Sequence, residues 1–216
     1  SSINNQDDEL IGFFLMVNDI TRRRQTERQL RRFHEGLEKR VKERTLELAQ
    51  TMEGAVQAMA LAVEMRDPYT SGHQRRVAEL ASAIAKEMGL PEKMVEGIYM
   101  AGLIHDIGKI RVPSSILCNP GRLSDAEFAI LKPHPQIGAN ILKGINFPWP
   151  LAEIVLQHHE RLNGSGYPSA LQNNDILLEA RVLAVADVVE AMFSHRPYRP
   201  SLGLDKAIEE IIQNQA

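Results

Sequence analysis

The chain has a single cysteine, Cys118, among 216 residues, so no internal disulfide is possible. Such sparing use of cysteine fits a reducing compartment and predicts a cytoplasmic location. Nothing beside Cys118 would lower its pKa, and it reads as a small packing residue, not a nucleophile. Neither sign of charge dominates: 25 basic residues meet 28 acidic ones, a net charge of −3. That balance excludes the broad basic footprint of a nucleic-acid or membrane-surface binder. Long hydrophobic runs are missing as well. The longest early one, residues 11–17, is far too short to cross a bilayer and reads as a buried strand. After residue 20 no alternating strand pattern of useful length occurs. The fold class expected is all-α, with one short residual strand.

A hydrophobic share of 44 % can still supply a core for one substantial domain. Three zones can be separated. Residues 1–20 hold the strand-like run; because one strand cannot form a domain, the chain reads as an excised piece of something longer. Residues 21–66 form the second zone, and 22–66 contain no proline and many strong helix formers, so they read as one helix. Leu30, Leu37, Val41, Leu48, Ala55 and Ala62 recur at spacings of seven and four, with Arg44 and Thr51 as interruptions. That is a coiled-coil seam, and it predicts a parallel homodimer. The alternative is a solvated helix folded back on its own domain. Pro68 ends the pattern.

Residues 67–216 carry only helical patterns. Val77, Leu80, Ala81, Ile84, Ala85 and Met88 make an amphipathic stripe that Gly89 stops, and Pro91 opens the next helix. Shorter helices are expected over 124–131, 134–143 and 149–159. An almost wholly apolar one covers 176–193, and a last amphipathic one starts near 203.

Chemistry is expected where polar residues interrupt apolar helices. MAGLIHDIGK at 100–109 embeds His105 and Asp106 in an apolar helix end, and VLAVADVV at 182–189 places Asp187 inside a buried helix. A buried carboxylate costs several kcal/mol unless positive charge compensates it, and the apolar part of neither helix contains a lysine or arginine. A bound cation would satisfy both. His73, His105, His134, His158 and His159 fall at helix starts, helix ends or buried faces, whereas His34 and His195 look ordinary. Any one of these histidines alone would more often be a satisfied core group. Together, five imidazoles and two carboxylates match the ligand demand of two octahedral divalent ions, with Asp106 able to bridge them. The absence of thiolates disfavours structural zinc. Mixed imidazole and carboxylate ligation suits iron, manganese or nickel, with zinc or magnesium as other occupants.

HDIGK at 105–109, HHERLNGSGYP at 158–168 and ADVVEAM at 186–192 resemble the HD-GYP family, bacterial phosphodiesterases acting on cyclic di-GMP. RDPYTSGH at 66–73, LKPHPQIG at 131–138 and RPYR at 196–199 fit the same resemblance, which covers essentially all of 60–216. It implies a helical HD fold, iron or manganese at the centre, and hydrolysis of cyclic di-GMP to pGpG and onward to GMP. By matching motif it makes His73, His105, Asp106, His134, His158, His159 and Asp187 the metal ligands. Tyr69 stands where members with a third metal carry glutamate, so two metals are expected. Asn163 replaces a usual aspartate that is not a ligand, and members normally continue through a further helix beyond Gln215.

Lys109, one turn beyond His105, can reach a phosphate oxygen and joins Asp106 as a catalytic candidate. Gly164 and Gly166 allow a tight loop over the site. Tyr167 can line a guanine pocket, and Arg196 or Arg199 can bind a phosphate or a guanine edge. Separately, residues 12–30 resemble the exit of a PAS sensor domain, which suggests regulatory domains upstream. Two other functions compete: a phosphohydrolase for another nucleotide, and a cyclic-dinucleotide receptor that binds without turnover.

Overall fold

The computed structural model describes residues 6–66, 72–119, 121–194 and 203–213, with side chains from Arg22 onward. Among the described residues it is all-α, with one isolated antiparallel bridge between Asn163 and Gln172. The long helix α1 spans Gln6–Glu64. It is followed by α2 (His73–Glu87), α3 (Glu92–Ile104), a 3-10 turn over Ile107–Arg111, α4 (Ser114–Leu117) and α5 (Asp125–Leu131). Then come α6 (His134–Leu142), α7 (Leu151–Gln157), α8 (Leu178–Phe193) and α9 (Leu204–Gln213).

One expectation needs correction. Residues 11–17 are not a strand, since α1 runs through them. No second strand lies among the described residues to pair with such a segment. A helix satisfies its backbone hydrogen bonds internally, whereas a lone strand leaves them open. The likeness of residues 12–30 to a PAS exit thus loses the strand it relied on. Cys118 also departs from its reading: it is exposed, with its thiol 3.8 Å from the Arg66 carbonyl oxygen.

The chain divides into two compact units, residues 1–52 and 53–216. In the first, Leu30, Phe33, Leu37, Val41 and Leu48 are exposed large apolar residues along α1. In the second, the last turns of α1 present two faces. Val56, Ala60 and Val63 are buried, while Ala55 and Ala62, on the heptad seam, are exposed.

Around that buried face the bundle assembles by apolar periodicity. Val77, Ala78, Ala81 and Ala85 of α2, Ile98, Ala101 and Ile104 of α3, and Ala180, Leu183 and Ala186 of α8 are fully buried. α2 packs on α3 and α8, and α6 packs on α7 and on the 3-10 turn. Gly89, at φ 70°, ends α2 in the left-handed conformation, its N–H bonding to Lys86 O. The start of α2 is held by Glu64, whose carboxylate accepts from the N–H groups of Gly72 (3.0 Å) and Gln74 (3.3 Å). Those are donors that a helix start cannot satisfy itself.

One close approach decides how the HDIGK segment and the start of α6 meet. A Cβ on Gly108 would lie 1.9 Å from the His134 carbonyl oxygen and 2.7 Å from Gly138 N. Only glycine lets the 3-10 turn after Asp106 lie directly on the first turn of α6. Gly108→Ala should therefore destabilise the fold by about 1–3 kcal/mol, the usual cost of overpacking. Urea denaturation measures this, and an unchanged midpoint would show that the two segments can separate freely.

Candidate metal centre

All seven expected ligand residues converge. His105 caps the end of α3, with Asp106 next to it; His134 starts α6; His158 caps α7, followed by His159; His73 starts α2; and Asp187 lies inside α8. Two groups of donor atoms form, His73–His105–Asp106 and His134–His158–His159, each within 4.8 Å internally. The groups adjoin, with ring centroids 5.2 Å apart for His105 and His158. Asp106 stands between them: one carboxylate oxygen is 3.5 Å from His105 Nε2, the other 3.4 Å from His134 Nε2. Asp187 Oδ1 lies 3.2 Å from His73 Nε2 and 4.0 Å from His105 Nε2.

Hydrogen bonds fix which nitrogen faces inward. His105 Nδ1 donates to Gly102 O (2.8 Å), His134 Nδ1 to Leu131 O (3.0 Å) and His158 Nδ1 to Val155 O (2.6 Å). A carbonyl only accepts, so each Nδ1 carries a proton, and in the neutral ring Nε2 presents a lone pair. His134 Nε2 and His158 Nε2 are buried without a hydrogen-bond partner. Lone pairs of His105 and His134 point at carboxylate oxygens, acceptor against acceptor. That arrangement suits a cation held between them, and the donor set fits divalent metal ions.

Burial keeps most of these imidazoles neutral. It lowers His134 to about 4 and His159 to about 3, and holds His158 well below its ordinary range, aided by the neighbouring histidines. Burial would lower His73 too, but hydrogen bonds to Asp187 and Glu190 outweigh it and raise His73 to about 9. Burial would also raise Asp106, yet Lys109 and His105 hold its carboxyl well below the carboxylate range. Asp187 is depressed in the same way against its own burial, chiefly by the bond to His73.

Lys109 meets Asp106 rather than open solvent, with Nζ 2.6 Å from Oδ2. The apolar part of α3 holds no basic residue, and the 3-10 turn after Asp106 brings Lys109 back onto the carboxylate. Tyr167 walls the site, its ring 4.8 Å from His159 and 6.4 Å from His134. Lys132 Nζ sits 5.5 Å above that ring. Gly164, at φ 77°, and Gly166 shape the loop rather than line the centre. A Cβ on Gly166 would lie 2.4 Å from Arg161 N, and one on Gly164 2.6 Å from Gln172 Nε2. Tyr69, Arg196 and Arg199 lie outside the described residues.

The family model described as HD domain matches residues 57–216. The chain belongs to the HD domain family. This HD domain is 44 % identical over 152 residues to the cyclic di-GMP phosphodiesterase response regulator RpfG of Xanthomonas campestris, covering 69 % of this chain and 40 % of that protein. It is 39 % identical over 150 residues to the 3'3'-cGAMP-specific phosphodiesterase 1 of Vibrio cholerae, covering 69 % of this chain and 35 % of that one. The chain thus spans less than half the length of these curated relatives. Among solved structures, the HD domain of the L. monocytogenes phosphodiesterase PgpH superposes with a TM-score of 0.55 at 23 % identity, over 73 % of this chain and 83 % of that one. That likeness carries the fold alone.

Two carboxylates escaped the sequence reading. Glu190 is buried, three residues after Asp187 on α8, and contacts His73 Nδ1. An acidic residue one turn past Asp187 in an otherwise apolar helix was the available signal. Glu160, also buried, accepts from the N–H groups of Ser169 (2.6 Å) and Leu171 (3.0 Å), tying down the loop that carries Tyr167.

The shifts predict a pH profile for the metal-free HD domain. His134 and His159 have lowered native pKa values, so the unfolded chain binds more protons between pH 4 and 6.5, and stability rises with pH there. His73 has a raised value, so its contribution is complete below 6.5 and is lost as pH climbs through about 9. Urea midpoints should therefore pass through a maximum between these limbs. A flat profile from pH 4 to 6.5 would mean that these imidazoles are not buried in the neutral form.

Proposed function

We propose that this HD domain is a phosphodiesterase hydrolysing cyclic di-GMP to pGpG, using two divalent metal ions held by His73, His105, Asp106, His134, His158, His159 and Asp187. The observation that carries the reading is the facing of His105 and His134 lone pairs against Asp106 oxygens within a buried cluster. The similarity to proteins named as cyclic dinucleotide phosphodiesterases supports the substrate class. Iron or manganese is the preferred occupant, because the donor set mixes imidazole with carboxylate and contains no thiolate.

When bound, such ions polarise a phosphoryl oxygen and make water nucleophilic near neutral pH. The chain's own residues do the rest. The neutral imidazoles of His134 and His158 present Nε2 without first losing a proton. Asp106 spans the two donor groups with its two oxygens. Lys109, beside Asp106, offers a point charge to a non-bridging phosphate oxygen. Tyr167 offers a ring face to a base, and Arg196 and Arg199 are proposed for phosphate or guanine contacts.

The mixed cyclic dinucleotide is the second substrate to weigh, since the Vibrio cholerae relative is named for it. Incubating the protein loaded with Fe2+ or Mn2+ with each dinucleotide, followed by product chromatography, separates the two. Cyclic di-GMP turnover should fall more than about 100-fold in His105→Ala and Asp106→Ala, since losing a ligand costs at least as much as losing its outer support. Turnover unchanged in both variants would remove the proposed centre from the chemistry. Tight binding without turnover in loaded protein would favour the receptor reading.

The exposed row Leu30, Leu37, Val41 and Leu48 supports a parallel homodimer through α1. The same helix ends in the HD core through Val56, Ala60 and Val63, a route by which upstream regulatory domains would reach the site. A double substitution Leu37→Glu and Val41→Glu should convert dimer to monomer in sedimentation analysis. A dimer that survives it would mean that this seam is not the interface.

A further inference from the structure

His73 is oriented differently from the other buried histidines. His105 and His158 use a carbonyl of their own helix, and His134 uses that of Leu131 at the end of α5. His73, the first residue of α2, has its Nδ1 against the Glu190 carboxylate instead. Glu190 is itself held. Arg76 Nε, one turn beyond His73, donates to its Oε1 at 2.6 Å, and Ser194 Oγ, one turn beyond Glu190, donates to the same oxygen at 2.5 Å. Meanwhile His73 Nε2 points at Asp187, 3.2 Å away. Two acidic residues of α8, one turn apart, thus grip opposite nitrogens of one imidazole.

From this geometry we infer that Glu190 is a positioning residue that sets the pose and donor strength of His73, with Arg76 and Ser194 fixing the carboxylate. The inference rests on the metal-centre reading above. A carboxylate on Nδ1 takes that nitrogen's proton as its hydrogen bond, leaves Nε2 for a metal, and makes it a stronger donor than a carbonyl would. The donor group containing His73, not the His134–His158–His159 group, should feel its loss. Arg76 keeps Glu190 from acting as an uncompensated buried anion.

Chelator-stripped full chain titrated with Mn2+ against a competing chelator tests this. Wild type should take up two ions. Glu190→Gln should leave one site unchanged and weaken the other about 10–100-fold, the usual cost of losing an outer-shell partner. In a His73→Ala background, adding Glu190→Gln should cause no further weakening. Two unaltered sites in the single variant, or an equal further loss in the His73→Ala background, would overturn the assignment. Should Glu190→Gln lose its helical circular dichroism, Glu190→Asp decides. It keeps the charge but withdraws the carboxylate, so weakening of the same single site supports the inference and unchanged binding refutes it. Wild type that binds no Mn2+, Fe2+ or Zn2+ would instead overturn the metal centre itself, an outcome distinct from failure of the Glu190 role alone.

Discussion

The structure depends on a cluster of imidazoles and carboxylates buried where water cannot serve them. Asp106 is 4 % exposed and His105, His134 and His158 are each 1 % exposed. Burying so many polar groups is tolerated only if nearly every atom has a partner. The chain supplies partners on the outer side: carbonyls of Gly102, Leu131 and Val155 for three Nδ1 atoms, Lys109 for Asp106, and Glu190 for His73. What it does not supply is a donor for the inward lone pairs. The cluster is complete toward the protein and incomplete toward its own centre.

The buried carboxylates are not short of positive charge. Within the apolar part of each helix the sequence places no lysine or arginine beside the carboxylates. In the fold Lys109 pairs with Asp106, Arg76 pairs with Glu190, and His73 is protonated near neutral pH, so the metal-free cluster carries nearly balanced charge. Charge deficit alone therefore asks for little. The contacts of Asp106 with His105 and His134 ask for more, because a neutral ring whose Nδ1 proton is given to a carbonyl turns a lone pair on the carboxylate.

Much of this was legible in the chain. The helices of the bundle follow the 3.6-residue pattern, and the seven proposed ligands stand out as polar residues in apolar surroundings. The strand expected at 11–17 failed because a short apolar run has no intrinsic period: it becomes strand only where another strand exists to pair with it. The 3-10 turn after Asp106 was missed for the opposite reason. Its path is set by contact of Gly108 with α6, a tertiary fact that local propensity does not hold. Glu190 was overlooked because the charge that accompanies it, Arg76, lies on another helix, over a hundred residues away in sequence.

The spacing on α8 joins these threads. Asp187 and Glu190 are three residues apart, so both face the start of α2, and His73 and Arg76 are three apart on α2, facing back. Two helix turns thereby interlock through four polar residues. An apolar substitute on one side would strand a buried charge on the other, so the four must change together or not at all. Ser194, which closes the network, also caps the C-terminal end of α8. Ser194 thereby ties the end of α8 to the same carboxylate that holds His73.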